Sequence, residues 1–373
     1  FTKKVCDVQQ PIRTGEIVRK AFAIAKADRP GAVAIEYPWD LQAAYFDDIE
    51  IQKPQDYAYG TGIRADVEAL KHAAAEITEL AELLGAPVAT SFVAKGVIPE
   101  DHPLSVGMVG WLGHPVAHEI IREHADYIFA VGYRFSDEAT SWWTEGRPYV
   151  KENRFIQLDI QQQELAKNYP VDVGLLGDAA ATIRELIAII REKGGRPQAE
   201  RSKKWVDAAR VHYQLLLPDA EKTPMESMVV ADRLRSLLPR NSILSVDTGT
   251  HAHCFSAFYP IYGPRRFLNP GGWTPMGWGP AAIMGAKLAE PDTVCACVTG
   301  DGGFLMVCQE VVTAVEWNLP VIWFVFNDMA LRAIRDGQQA AYDGRIIGTE
   351  FTQATDFAAL ARSMGAEGIT VTH

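Results

Sequence analysis

Two acidic residues each close an apolar run. Asp301 lies in Val298-Thr-Gly-Asp-Gly-Gly-Phe304, and Asn327-Asp328 follows Leu319-Pro-Val-Ile-Trp-Phe-Val-Phe326. Carboxylate, amide and carbonyl oxygens are the ligands a hard divalent cation takes. Gly300, Gly302 and Gly303 let backbone N–H groups approach an anion with no Cβ in the way. A helix starting there turns its positive end to the same anion. Together these residue types support a metal ion held against a diphosphate. Gly-Asp-Gly taken alone would favour a glycine turn with Asp301 capping the next helix. The second acidic residue, at the end of the next strand, favours the metal.

The elements that position these residues can be read from periodicity. Phe304 to Asn318 carries Val307, Val311, Val312 and Val315 at helical spacing, which predicts one helix between two strands. The polar residues then stand at the carboxyl ends of both strands, the edge where open α/β sheets bind ligands. Strands are predicted at Ser242–Val246, Val294–Val298 and Val321–Phe326, in a domain running from 225 to 373. Asp247-Thr-Gly-Thr-His251 leaves the first of them. Residues 59–190 alternate helix and strand, with a helix from Ala75 to Leu84 and strands at Pro87–Ser91, Tyr127–Val131 and Phe155–Asp159. The charged, Gly- and Pro-containing stretch after Glu192 makes 191–224 a linker. Residues 1–58 hold a helix, Thr14 to Lys26, and a buried strand, Ala32 to Glu36, and read as the tail of a domain.

Bulk properties narrow the class. A chain of 373 residues holds about two to three domains at roughly 150 residues each. A net charge of −11 argues against nucleic acid or an anionic membrane as partner. No apolar run is long enough to span a bilayer, and no signal peptide opens the sequence. Cys295 and Cys297 fall on one face of a strand. No second Cys or His pair has metal-site spacing, so both read as buried structural cysteines. Five cysteines without a framework suit a reducing cytoplasm.

Nearly the whole chain resembles the thiamine-diphosphate-dependent family of acetolactate synthase. Gly271-Gly-Trp-Thr-Pro-Met-Gly-Trp-Gly-Pro-Ala-Ala-Ile283 is similar to the family's Gly-Gly … Met-Gly segment, and Val298 to Asp328 to its metal–diphosphate motif. Lys95-Gly-Val-Ile-Pro-Glu-Asp-His-Pro103 and Val131-Gly-Tyr-Arg-Phe135 resemble its central domain. Arg29-Pro-Gly-Ala-Val-Ala-Ile-Glu-Tyr-Pro38 resembles the last strand of its pyrimidine-binding domain. The resemblance implies an α/β fold of three parallel-sheet, Rossmann-like domains: pyrimidine-binding (1–58, incomplete), central (59–190) and diphosphate-binding (225–373). It implies Mg²⁺ on Asp301, Asp328 and the Ala330 carbonyl, and diphosphate contacts from Gly302, Gly303, Gly249, Thr250 and His251. Met276 would wedge between the two rings of the cofactor, the Thr274 carbonyl would accept from the aminopyrimidine, and Lys95 would line the substrate channel. Family members decarboxylate a 2-oxo acid to an enamine and pass it to an acceptor. Their active site lies between the pyrimidine domain of one subunit and the diphosphate domain of another, which implies a homodimer or homotetramer.

Measured against the family, three parts are missing. The catalytic glutamate would precede Phe1, and Glu36, on the last strand, is not that residue. A strand and a Gly-rich loop would stand between Ala74 and Ala75, leaving the central domain without its first strand. The expectation there is of omitted residues rather than a real deletion, since a lost strand exposes neighbouring edges. The end of the diphosphate domain would follow His373.

The sequence also departs from the family at single positions. Asp328 stands where Asn is usual, which adds a negative charge to the site. Thr250 replaces a Gln, and its hydroxyl can still donate. Glu138 stands where an arginine would meet the acceptor's carboxylate, Gly337 where a tryptophan shapes the acceptor site, and Leu331-Arg-Ala-Ile334 replaces Leu-Gly-Met-Val. A bidentate clamp on a second 2-oxo acid is thereby weakened, although Arg332 or Arg335 could substitute. FAD, which some members bind, has no support: the Gly-rich loop is not in this chain and the Arg-Phe region has diverged. Two further readings stand beside the carboligase. One is a related lyase or decarboxylase of the benzoylformate, 2-hydroxyacyl-CoA or sulfoacetaldehyde type. The other is a non-catalytic protein on the same scaffold.

Overall fold

The computed structural model describes residues 2–26, 31–42, 67–111, 113–143, 148–150, 152–216 and 225–372. The expected boundary at 58/59 lies outside them. In the first segment β1 (Val5–Asp7) pairs in parallel with β2 (Ala34–Glu36), flanked by α1 (Thr14–Lys26) and the short α2 (Trp39–Gln42). β1 is too short for a period-2 signal and was not predicted. The strand expected to be buried is not: Ile35 and Glu36 of β2 are exposed among the described residues.

The central segment opens with α3 (Val67–Leu84), which runs unbroken through Ala74–Ala75, so no strand or Gly-rich loop intervenes there. β3 (Val88–Thr90) and β4 (Ser105–Met108) form one parallel pair, and β5 (Tyr127–Val131), β6 (Arg154–Asp159) and β7 (Val173–Leu176) another parallel sheet. α4 (Pro115–His124) buries Val116, Ala117, Ile120 and Ile121 against Val106, Ala130 and Phe155. α5 (Ala179–Glu192), capped by Asp178 accepting from the Ala181 amide at 2.9 Å, packs Ile183 and Ile187 against Leu80 and Leu83 of α3.

The segment read as a linker corrects the sequence reading. Within 191–224, Lys203–Leu216 forms α6, and its Val206 and Ala209 are buried in the same core as α4. Charge on the outer face hid an apolar stripe at helical spacing.

In the third segment α7 (Ser227–Leu237) leads to β8 (Ile243–Val246), α8 (Thr250–Phe258), β9 (Phe267–Leu268), α9 (Trp278–Ala289) and β10 (Cys295–Gly300). Then follow α10 (Asp301–Leu305), α11 (Glu310–Glu316), β11 (Val321–Phe326), α12 (Arg332–Ala341) and α13 (Phe357–Ser363). The sheet is parallel in the order β11-β10-β8-β9. α7 and α8 cover one face through Leu234, Phe255 and Phe258. α9 and α11 cover the other through Ile283, Met284 and Ala314, packed on Cys295 and Cys297. Both thiols are therefore core groups, and burial pushes them up from the ordinary thiol range.

The single helix expected over Phe304–Asn318 is two, α10 and α11. Spacing could not show the break. Val311 turns to the core, Val312 and Val315 face out, and Val307 packs instead beside Gly277. Among the described residues no helix is long and apolar enough to cross a membrane.

Candidate active site

The register of the sheet brings the chemistry together. Val246 of β8 pairs with Val298 of β10, and Gly300 of β10 with Phe326 of β11. Three strands therefore end at one edge, and the residues that follow are Asp247, Asp301 and Asn327-Asp328.

Asp301 is 3 % exposed and begins α10, with Gly300 rather than Asp301 at the cap position. Its Oδ1 accepts from the Gly302 amide at 2.7 Å, and its Oδ2 is buried without a partner. Burial raises its pKa, and the nearby Asp328 charge adds to that, while the amides of Gly302, Met329 and Ala330 oppose it. An orphaned carboxylate oxygen beside a second carboxylate is a place for a cation. Met329 (φ 57) turns the chain so that Ala330 is buried in a bridge with Glu350. The Leu331 amide donates to the Thr349 carbonyl at 2.8 Å, and the Phe351 amide to the Met329 carbonyl at 2.8 Å. Among the described residues no three His, Cys, Asp or Glu side chains converge on a metal position. A cation here would complete its shell from the Ala330 carbonyl, water and its ligand's oxygens.

The glycines are explained by what surrounds them. A Cβ on Gly302 would come within 2.7 Å of Leu331 Cδ2 and 3.3 Å of Met276 Cε. One on Gly303 would run into Asp247 Oδ2 and come within 3.1 Å of Thr299 Oγ1. The expected diphosphate donors are thus also close-packing positions, and the Gly302 N–H is already engaged by Asp301. Met276 lies against Gly302, half-buried, at the end of a turn where Thr274 is left-handed (φ 38). The Thr274 carbonyl accepts from Thr248 Oγ1 at 2.7 Å, which leaves it a second lone pair.

Gly249, at φ +156, starts α8, where a Cβ would meet the His251 ring at 2.6 Å. Thr250 is half-buried at the helix start. His251 is 4 % exposed and stacks on Phe326 with ring centroids 6.0 Å apart. Its Nε2 is buried without a partner, and burial pulls its pKa down to about 4. His253 instead meets Trp111 edge-on at 4.7 Å. The Trp111 amide donates to the Glu138 carbonyl at 2.8 Å, which links the Glu138 turn to α8.

One residue carried no assigned role in the sequence reading. Asp247 is fully buried. Its Oδ2 accepts from the Gly277 amide at 3.0 Å and from Thr299 Oγ1 at 2.9 Å, and its Oδ1 from the Gly279 amide at 3.1 Å. It ties the Met276 turn to the ends of β8 and β10. An acidic residue closing a strand, as at Asp301, was the signal available.

Lys95, expected to line the substrate channel, has a side chain 2 % exposed, with Nζ 2.5 Å from Glu100 Oε2. Glu100 Oε2 also accepts from the Ile261 amide at 2.6 Å, and the Glu100 amide donates to the Ile261 carbonyl at 2.8 Å. The pair joins the central segment to the third one.

Comparison with known proteins accords with this geometry. Residues 247–373 match the family model described as thiamine pyrophosphate enzyme, C-terminal TPP binding domain, and residues 62–186 that of the central domain. The probable acetolactate synthase large subunit of Methanococcus aeolicus is 30% identical, covering 96% of this chain and 65% of that protein. That of Methanocaldococcus jannaschii is 30% identical over 98% of this chain and 66% of its own length. The acetolactate synthase isozyme 1 large subunit of Escherichia coli (strain K12) is 30% identical over 94% and 64%. The chain thus spans about two thirds of the length of these relatives.

Proposed function

The chain belongs to the thiamine pyrophosphate enzyme family, and from that premise we propose that it is a Mg²⁺-dependent carboligase or decarboxylase of 2-oxo acids, of the acetolactate synthase type. The observation that carries this reading is the unpartnered, buried Oδ2 of Asp301 beside Asp328 at the carboxyl edge of the sheet. Asp301, Asp328 and the Ala330 carbonyl would hold Mg²⁺, and the metal would hold the diphosphate. When bound, the cofactor supplies a thiazolium that stabilises the carbanion left when a 2-oxo acid loses carbon dioxide. The chain's own part is positioning. Met276 offers an unbranched apolar side chain beside Gly302, fit to hold the cofactor bent. The Thr274 carbonyl keeps a lone pair for the aminopyrimidine. Neutral His251 can serve the diphosphate as a hydrogen-bond donor without adding charge. The protein would work in the cytoplasm as a homodimer or homotetramer, with each site shared between subunits as the family resemblance implies.

A second reading keeps the cofactor and changes the reaction to a lyase or decarboxylase. Glu138 favours it: a carboxyl stands where a cation would receive an acceptor's carboxylate, and burial, with Asp137 beside it, raises its pKa. The first test is calorimetric titration of thiamine diphosphate with and without Mg²⁺. Binding that requires Mg²⁺ and is lost in Asp301→Ala is the expected result. Absence of binding by the intact protein would defeat both readings. Product analysis with pyruvate as sole substrate then separates them, since acetolactate forms only if a second pyruvate is accepted.

A further inference from the structure

Asp328 already has a cationic neighbour. Arg332, one turn on at the start of α12, donates from Nη1 to Asp328 Oδ2 at 3.3 Å. Its Nε lies 3.5 Å from Asp336 Oδ2. The guanidinium therefore sits between two carboxylates, Asp328 on the turn before α12 and Asp336 one turn along the helix itself. The Asp328 charge is also felt by Asp301, whose Oδ2 is buried without a partner. Two carboxylates that feel each other's charge repel when no cation is present, and Arg332 is placed to relieve that.

We infer that Arg332 is a positioning residue for the metal site, acting through Asp328. This rests on the proposed metal site. In the metal-free protein Arg332 holds the Asp328 carboxylate and offsets its charge. An entering divalent cation must share Asp328 with the guanidinium, and meets its positive charge. The metal alone is therefore bound more weakly than the two carboxylates would bind it unaided. A diphosphate arriving with the metal brings negative charge that both cations attract. Arg332 thus favours binding metal and diphosphate together over metal alone. The Arg332 side chain is 50% exposed and that of Asp328 33%, so the effect is on ligand affinity and hardly on folding.

The test is titration of Mn²⁺ alone into the full chain, with free Mn²⁺ read by electron paramagnetic resonance. Arg332→Gln is expected to tighten Mn²⁺ by about threefold, the scale of a half-exposed ion pair. Arg332→Lys, which keeps the charge, is expected to stay near the wild-type value. In an Asp328→Asn background the Arg332→Gln change is expected to have little effect. Wild-type affinity in Arg332→Gln would overturn the inference, as would an equal gain in the Asp328→Asn background. If the folded wild-type protein takes up no Mn²⁺ at all, the metal site itself falls, which is a different outcome from an unchanged affinity.

Discussion

His251 shows how burial sets chemistry at a single residue. Its pKa falls from an unfolded value near 6.5 to about 4 because the ring leaves water, although Asp247 and Asp328 pull the other way. The folded state therefore resists the proton. The stability this confers is complete above pH 6.5 and erodes as pH falls toward 4, where the unfolded chain takes up a proton and the folded one does not. The shift is worth roughly 3 kcal/mol at most. Urea denaturation from pH 7 to pH 4.5 should show that loss, and His251→Phe should flatten it. Asp301 behaves in the opposite sense. Its pKa is raised, so ionisation at neutral pH costs the metal-free fold stability. Asp301→Asn should raise the melting temperature without metal and abolish the further rise on adding Mg²⁺ with thiamine diphosphate. A lower metal-free melting temperature in Asp301→Asn would contradict this.

At the level of elements, Asp247 decides whether the cofactor turn is held. Three donors on two separate segments converge on this one carboxylate, inside the protein. Asp247→Ala leaves Gly277 N–H, Gly279 N–H and Thr299 Oγ1 without their acceptor, at a cost of roughly 3 kcal/mol or more. The denaturation midpoint should fall with its slope unchanged. Gly303→Ala attacks the same joint from the other side, since the added methyl meets Asp247 Oδ2. Thiamine diphosphate affinity measured by calorimetry should drop in that variant even where the fold survives.

At the scale of the molecule, the Lys95–Glu100 pair is a joint between segments. Lys95 Nζ lies 5.8 Å from the Phe267 ring centroid, Phe92 meets Phe267 edge-on at 5.7 Å, and Asn269 Nδ2 donates to the Phe92 carbonyl at 3.2 Å, so contacts across this joint are apolar and polar together. Lys95→Met strands the Glu100 carboxylate, and Glu100→Leu strands the ammonium. Each should cost roughly 3–5 kcal/mol, and the double substitution much less than their sum. Additive losses across the four proteins in urea would argue that the pair is not a unit.

The sequence by itself determined the strand ends and the acidic residues that close them. β5 and β11 begin and end where alternation and apolar run length predict, and Asp301 and Asp328 were legible because glycine, carboxylate and strand end carry a local signal. Only the tertiary structure decided what faces those residues. Nothing local announced that Lys95 would be buried against Glu100, itself held by the Ile261 amide. Lys203–Leu216 looked like linker until α4 received its apolar stripe. Nothing local announced that His251 would be buried against Phe326. Periodicity reports which way a side chain points along its own element. Burial, ion pairing and the pKa that follows depend on which other element arrives there, and that is set by packing between residues far apart in sequence.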